Sequence, residues 1–156
     1  MRRMLVPFVI MALALSGCGV SIPSDPEGTL DRVRGGTLHV GASPNGDAVQ
    51  VDSGTVSGAE VELVARFAEH LDAEIEWTVG AEEALVRALE RGELDLVIGG
   101  LTDASPWVDR SGMTRPYAEV RDAAGEVHRL VMLVPMGENA FLSELETFLS
   151  EEGGGR

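Results

Sequence analysis

A second cysteine is missing from this chain. Cys18 stands alone, so no intramolecular disulfide can form and a thiolate zinc site is excluded. Aromatic residues are only 4% of the sequence, so stacking surfaces are scarce. Basic residues are also few, 12 against 26 acidic ones, for a net charge of −14. Such acidity argues against nucleic acid, whose phosphates demand cations. It argues equally against electrostatic adhesion to anionic headgroups. The sequence has no nucleophile with a base at motif spacing, no phosphate-cradling glycine loop followed by lysine, and no carboxylate pair with a reason for shifted titration. His39, His70 and His128 lack metal-site partners at helical or strand spacing, and Asp47 and Asp52 lack the calcium-loop pattern. The expectation is a non-enzymatic protein without cofactor or metal.

What is present begins with an export signal. Arg2 and Arg3 precede an apolar run at positions 4–15, interrupted by Pro7. A bilayer-spanning helix needs roughly 20 apolar residues, so the run reads as a secretory leader. It ends in Leu15-Ser16-Gly17-Cys18, which resembles the bacterial lipobox. That resemblance implies cleavage before Cys18, diacylglyceryl transfer to its thiol, and further acylation, since one acyl chain anchors only marginally. The alternative is an ordinary signal peptide with a chance cysteine. Losing Arg2 and Arg3 would make the mature chain two units more acidic. The expected layout is a leader at 1–17, a lipid anchor and tether at 18–35, one domain at 36–151 and a disordered tail at 152–156. The tether assignment rests on polar sequence with Pro23 and Pro26.

Beyond the tether, hydrophobic periodicity sets the elements. Thr37–Ala42 alternates as a strand. Residues 43–55 read as loop, with a short strand near Val49 and Val51. Ser57-Gly58-Ala59-Glu60 matches a capping box and opens a helix to Leu71, with Val61, Val64, Ala65, Ala68 and Leu71 on its apolar stripe. Residues 73–79 alternate as a half-buried strand near a sheet edge. Glu82 to Arg91 is a second helix, stopped by Gly92. Residues 94–98 form a central strand ending at Gly99-Gly100. Residues 101–115 form a long loop. Residues 116–121 and 126–135 read as two strands around a turn at 122–125, and Asn139 caps a last helix to Ser150. This order predicts an α/β fold: one three-layer lobe with a mostly parallel sheet, a C-terminal antiparallel hairpin and a helix.

Residues 36–117 carry five pieces in an ordered series. These are Gly36-Thr37-Leu38-His39-Val40-Gly41, Gly58-Ala59-Glu60-Val61-Glu62-Leu63, Leu89-Glu90-Arg91-Gly92-Glu93-Leu94-Asp95, Gly99-Gly100-Leu101-Thr102 and Thr114-Arg115-Pro116-Tyr117. Together they resemble the extracytoplasmic solute-binding proteins of family 3, the receptors of ABC importers for polar amino acids and similar solutes. Residues 131–148 resemble the strand and helix that close the first lobe of such proteins. The resemblance implies a periplasmic-binding-protein-like lobe. Two departures stand out. The family's second lobe is replaced by the turn near Ala123. The family's second threonine and its carboxylate-clamping arginine fall on Ala104 and Trp107, and indole cannot replace a bidentate guanidinium.

Ligands of open α/β sheets bind beyond the carboxyl ends of the strands. That edge is built by residues 43–45, 79–81 and 99–110. The candidate ligand residues are therefore Ser43, Asn45, Gly100, Thr102, Asp103, Ser105, Trp107 and Arg110. Thr102, Asp103 and Ser105 supply polar contacts, Trp107 an apolar plate and Arg110 a cation. In the structural alternative, Trp107 packs as local core and Arg110 pairs with Asp103 or Asp109. The expected function is a lipid-anchored module on the outer face of a bacterial membrane. It would bind a small polar, amino-acid-like solute for an ABC permease, with a second copy or another chain supplying the missing wall. The rival is an envelope interaction or sensory domain contacting another membrane protein.

Overall fold

The computed structural model describes residues 24–154. Cys18 and the leader lie outside the described residues. Five strands form the central sheet in the order β4-β1-β5-β9-β6. They are β1 (Thr37–Ala42), β4 (Glu74–Val79), β5 (Leu96–Ile98), β6 (Gly112–Met113) and β9 (Leu133–Val134). β1 pairs in parallel with β4 and β5, while β9 runs antiparallel between β5 and β6. The sheet is thus mostly parallel, as expected, with one reversed strand. β4 is its edge and β5 its fully buried centre.

Helices cover both faces. Helix α2 (Ala59–His70) and helix α4 (Asn139–Gly154) pack on one face, where Phe67 meets Phe141 and Phe148 at 5.9 and 5.3 Å between ring centroids. Helix α3 (Glu82–Glu90) covers the other face with Leu85, Val86 and Leu89. The result is the three-layer lobe that alternating strands and helices predict. The stripe on α2 is rotated from its expected position. Phe67 is buried, whereas Val61 and Ala65 sit at its margin.

The hairpin differs in one respect from the sequence reading. Residues 126–135 divide into β8 (Val127–Leu130) and β9. β8 pairs with β7 (Ala118–Arg121) in a separate two-stranded ribbon, while β9 enters the main sheet. The turn between β7 and β8 falls where expected. Asp122 Oδ1 accepts the N–H groups of Ala124 and Glu126, both at 2.9 Å. A second small ribbon joins β2 (Gln50–Asp52) to β3 (Thr55–Ser57).

The segment read as tether is docked from Ser24 onward. Helix α1 (Thr29–Val33) buries Thr29, Leu30 and Val33. Three carboxylates hold this strap. Asp25 accepts the N–H groups of Ala140 and Phe141, at 2.7 and 3.0 Å through Oδ1. It therefore caps α4 in place of Asn139, as a carboxylate at a helix N-terminus should. Buried Glu138 accepts the N–H groups of Glu27 and Thr29 at 3.0 Å each. Buried Asp95 takes Arg32 at 2.7 Å and the His39 N–H at 2.9 Å. The Asp95 carboxylate holds the Arg32 guanidinium above its usual range. At the other end α4 continues to Gly154, past the expected stop at Ser150.

Candidate functional site

The carboxyl ends of β1 and β5 meet at a rim built on close backbone approach. The Ser43 N–H donates to Ile98 O at 2.9 Å. A methyl group at Gly99 would lie 2.7 Å from Ser43 Cβ, and one at Gly100 would lie 2.5 Å from Asn45 Nδ2. Gly100 also has φ +64°, which disfavours any side chain. Asn45 Nδ2 donates to Gly99 O at 2.8 Å. Ser43 thus packs on Gly99, and Asn45 on Gly99 and Gly100, at the carboxyl ends of β1 and β5.

A buried acid underpins this rim. Glu60 Oε2 accepts the N–H groups of Gly99 and Gly100, both at 2.9 Å. Its other oxygen takes the Tyr117 hydroxyl. Burial and the neighbouring Glu60 charge push the Tyr117 phenol well above its ordinary range. The capping box read at Ser57–Glu60 is thus not made. The N–H groups of Ala59 and Glu60 donate instead to the carbonyls of Asp47 and Ala48, both at 3.1 Å. Loop backbone satisfies the helix end, and Glu60 is left to reach the sheet. The sequence held a signal for this role. Glu60, Val64, Phe67 and Leu71 share the i, i+4, i+7 spacing of one buried face, and an acid on that face needs partners.

The loop after β5 then carries the other candidates away from one another. Thr102 stays at the rim, half-buried and bridged to Leu130. Asp103 pairs with Arg129 at 2.8 Å. The Ser105 N–H closes a turn on Thr102 O at 2.9 Å, and its Oγ is buried without a hydrogen-bond partner among the described residues. Trp107, in the 3-10 turn Pro106–Asp109, packs against the α3 face of the core and donates from Nε1 to Glu82 at 3.2 Å. Arg110 has descended to the opposite end of the sheet, where it lines a cleft with Leu94 and Asp95. It pairs there with Glu90 through bonds of 2.8 and 2.6 Å and lies 5.4 Å from the Trp107 ring centre. Its partner is neither Asp103 nor Asp109. The Glu90 carboxyl is held below its usual range by this guanidinium. Arg110 is therefore not a rim cation.

Each histidine lies beside a carboxylate: His39 at 3.2 Å from Asp95, His70 at 2.9 Å from Glu144 and His128 at 3.0 Å from Asp122. Asp122, Glu126 and His128 bring one donor atom each within 4.8 Å on the exposed β7–β8 turn. The hydrogen bond from His128 holds the Asp122 carboxyl below its usual range.

The rim has the following chemistry. Its two glycine N–H groups are consumed by Glu60, and Arg129 is paired. An incoming carboxylate finds no preformed clamp among the candidates. Asp103 is engaged by Arg129 and the Ser105 hydroxyl is buried, so the half-buried Thr102 hydroxyl is the candidate group left to meet a polar ligand.

Known proteins share this fold. A mutant of the arginine-bound domain 1 of TmArgBP superposes with a TM-score of 0.71 at 22% identity, covering 80% of this chain and 98% of that one. A Salmonella typhimurium periplasmic binding protein described as highly arginine-specific gives 0.66 at 13% identity, covering 76% and 93%. These likenesses are likenesses of fold. In sequence, 97 residues are 30% identical to the membrane-bound lytic murein transglycosylase F of Vibrio cholerae, 61% of this chain but 18% of that protein. The Vibrio campbellii counterpart is 31% identical over 100 residues, again 18% of its length. The model of the bacterial extracellular solute-binding proteins, family 3, matches residues 38–151, and the chain belongs to that family.

Proposed function

We propose that this chain is a lipid-anchored, single-lobe receptor for a small polar, amino-acid-like solute, serving an ABC importer from the outer face of a bacterial membrane. The observation that carries this is the rim at Ser43, Asn45 and Gly100, shaped by a buried Glu60 and left open on one side. With its glycine amides consumed by Glu60, and Asp103 and Arg129 paired with each other, the rim offers a polar solute hydroxyl and amide groups and no preformed carboxylate clamp. The arginine-bound neighbours are what point to a basic, guanidinium-bearing solute. We read the chain as a binder and not an enzyme, since its likeness to transglycosylase F spans a minor part of that protein. One lobe buries a ligand on one side only, so a second copy or a permease would supply the other wall. A thermal-shift screen of the mature chain against basic amino acids, amines and acidic amino acids tests this. Shifts with the basic compounds alone support it, and no shift with any compound contradicts it.

A second reading keeps the lobe and changes its role to an envelope interaction or sensory domain. It is favoured by Trp107 and Arg110, both engaged with α3 instead of the rim. Co-purification of an envelope protein by the mature chain, without any solute-induced shift, supports it.

A further inference from the structure

We infer that strand β7 is the edge through which two copies of this chain join, antiparallel and centred on Val120. The edge is free, and its charges complement their own reversed copy.

The β7–β8 ribbon is satisfied on one side only. Beyond β8, Arg129 O accepts the Asp103 N–H at 3.0 Å, and the Val131 N–H donates to Leu101 O at 2.9 Å. Successive residues of a strand turn their backbone groups to alternate edges. Those of Arg129 face the rim loop, so those of His128 face β7. His128 is paired with Val120, whose backbone groups therefore point inward. Those of Glu119 and Arg121 point outward, to an edge that no other strand of the described residues covers. All four residues of β7 are exposed, Val120 at 43%.

A free edge invites another strand, and proteins commonly block it with charge. Here the charges do the reverse. Turned about a twofold axis at Val120, Glu119 of each copy meets Arg121 of the other, and Val120 meets Val120. Opposite charges directly across favour a strand pair, and the two valines cover each other's apolar surface. The backbone agrees with this register. The outward groups of Glu119 meet those of Arg121 as hydrogen-bonded pairs. Val120 falls at the non-hydrogen-bonded pair, where side chains lie closest. Moving the axis to Glu119 or to Arg121 sets like charges opposite, which is unfavourable. Moving it between residues sets outward groups against inward ones. The one register left is symmetric, as an isologous pair requires.

Arg121 supplies an independent sign. The other eight described arginines each form a salt bridge. Among the described residues Arg121 reaches only the Gly125 carbonyl, at 3.4 Å. The reversed copy offers it Glu119. The pairing takes none of Ser43, Asn45, Gly100 or Thr102, so each rim stays open to a solute and to the permease that receives it.

The experiment compares Val120→Cys with Val127→Cys in the full chain processed in cells, at equal concentration under mild oxidation. Both valines are 43% exposed, and Cys18 is common to both chains, so chance coupling is the same. In the paired edge the two Cα atoms at position 120 lie about 4.5 Å apart, within disulfide range. Those at position 127 are three strand spacings apart, about 14 Å or more. The expected result is several-fold more disulfide-linked dimer with Val120→Cys, joined at position 120 by peptide mass spectrometry. Equal yields overturn the inference. Adding Glu119→Arg or Arg121→Glu should each lower the Val120→Cys yield to that of the control, and mixing the two variants should restore it. No loss, or no restoration on mixing, also overturns it. The inference stands apart from the solute reading. Solute-induced thermal shifts with equal cross-linking defeat the pairing alone, and cross-linking without any shift defeats the solute reading alone.

Discussion

The two ends of the sheet use the same device for different ends. At the base, Asp25, Glu138 and Asp95 accept backbone N–H groups and one guanidinium, and the outcome is a strap locked onto the lobe. At the rim, Glu60 accepts two backbone N–H groups and a phenol, and the outcome is a shaped loop with Asn45 and Asp103 exposed along its edge. Buried carboxylates are expensive unless every oxygen is satisfied, so each is a commitment of local sequence to a fixed geometry. The base spends that commitment on closure, the rim on leaving one surface uncovered.

Deleting the strap should break the base hardest. A chain beginning at Gly36 loses the burial of Leu30 and Val33, worth about 1.5–3 kcal/mol each, and leaves Glu138 and Asp95 buried with fewer partners. The sum approaches the total stability of an ordinary domain, roughly 5–15 kcal/mol. Circular dichroism should show an unfolded or loosely packed chain, whereas an inert tether would leave the melting curve unchanged. Glu60→Ala comes next. It orphans two backbone donors and a hydroxyl at a cost of about 1–3 kcal/mol each. A urea titration should show a large fall in midpoint, with a smaller fall for Glu60→Gln. Arg110→Ala should barely move the midpoint and should leave solute affinity unchanged, because Arg110 sits at the base. Thr102→Ala should weaken affinity with stability intact. Calorimetry with a basic amino acid distinguishes the pair.

The smallest effect is optical. Tyr117 is the sole tyrosine, so phenolate absorbance reports it alone. Its folded pKa is raised, so its contribution is fully present below the unfolded value of about 10 and fades as pH rises above that. Absorbance near 295 nm should therefore stay flat through pH 10 to 11 while the chain is folded. It should rise only with unfolding, and Tyr117→Phe should abolish the signal.

The sequence shows the lobe and hides the partnerships of its acids. Strand and helix periods are local, so β1, β4, α3 and the edge position of β4 are legible from a few residues each. Gly99-Gly100 mark the rim because only glycine tolerates that backbone and that approach. Asp25 and Glu138 reach backbone more than a hundred residues away in the chain, and no local pattern separates them from solvated loop acids. For the same reason the strap reads as tether. Arg110 reads as a rim residue because its distance from Gly100 in sequence is short, yet the 3-10 turn at Pro106 carries it down to Glu90. Ser57–Glu60 matches a capping box in letters, but Gly58 is packed on Ala48, whose carbonyl takes the donor that Ser57 would have served.

The contrast between a closed base and an open rim is tested most directly by amide chemical-shift mapping of the mature chain titrated with a basic amino acid. Changes confined to residues 43–45 and 99–105, with the amides of Glu27, Thr29 and Phe141 unmoved, are the predicted result. Saturating solute with no change at the rim, or changes centred on the base cleft, would contradict it.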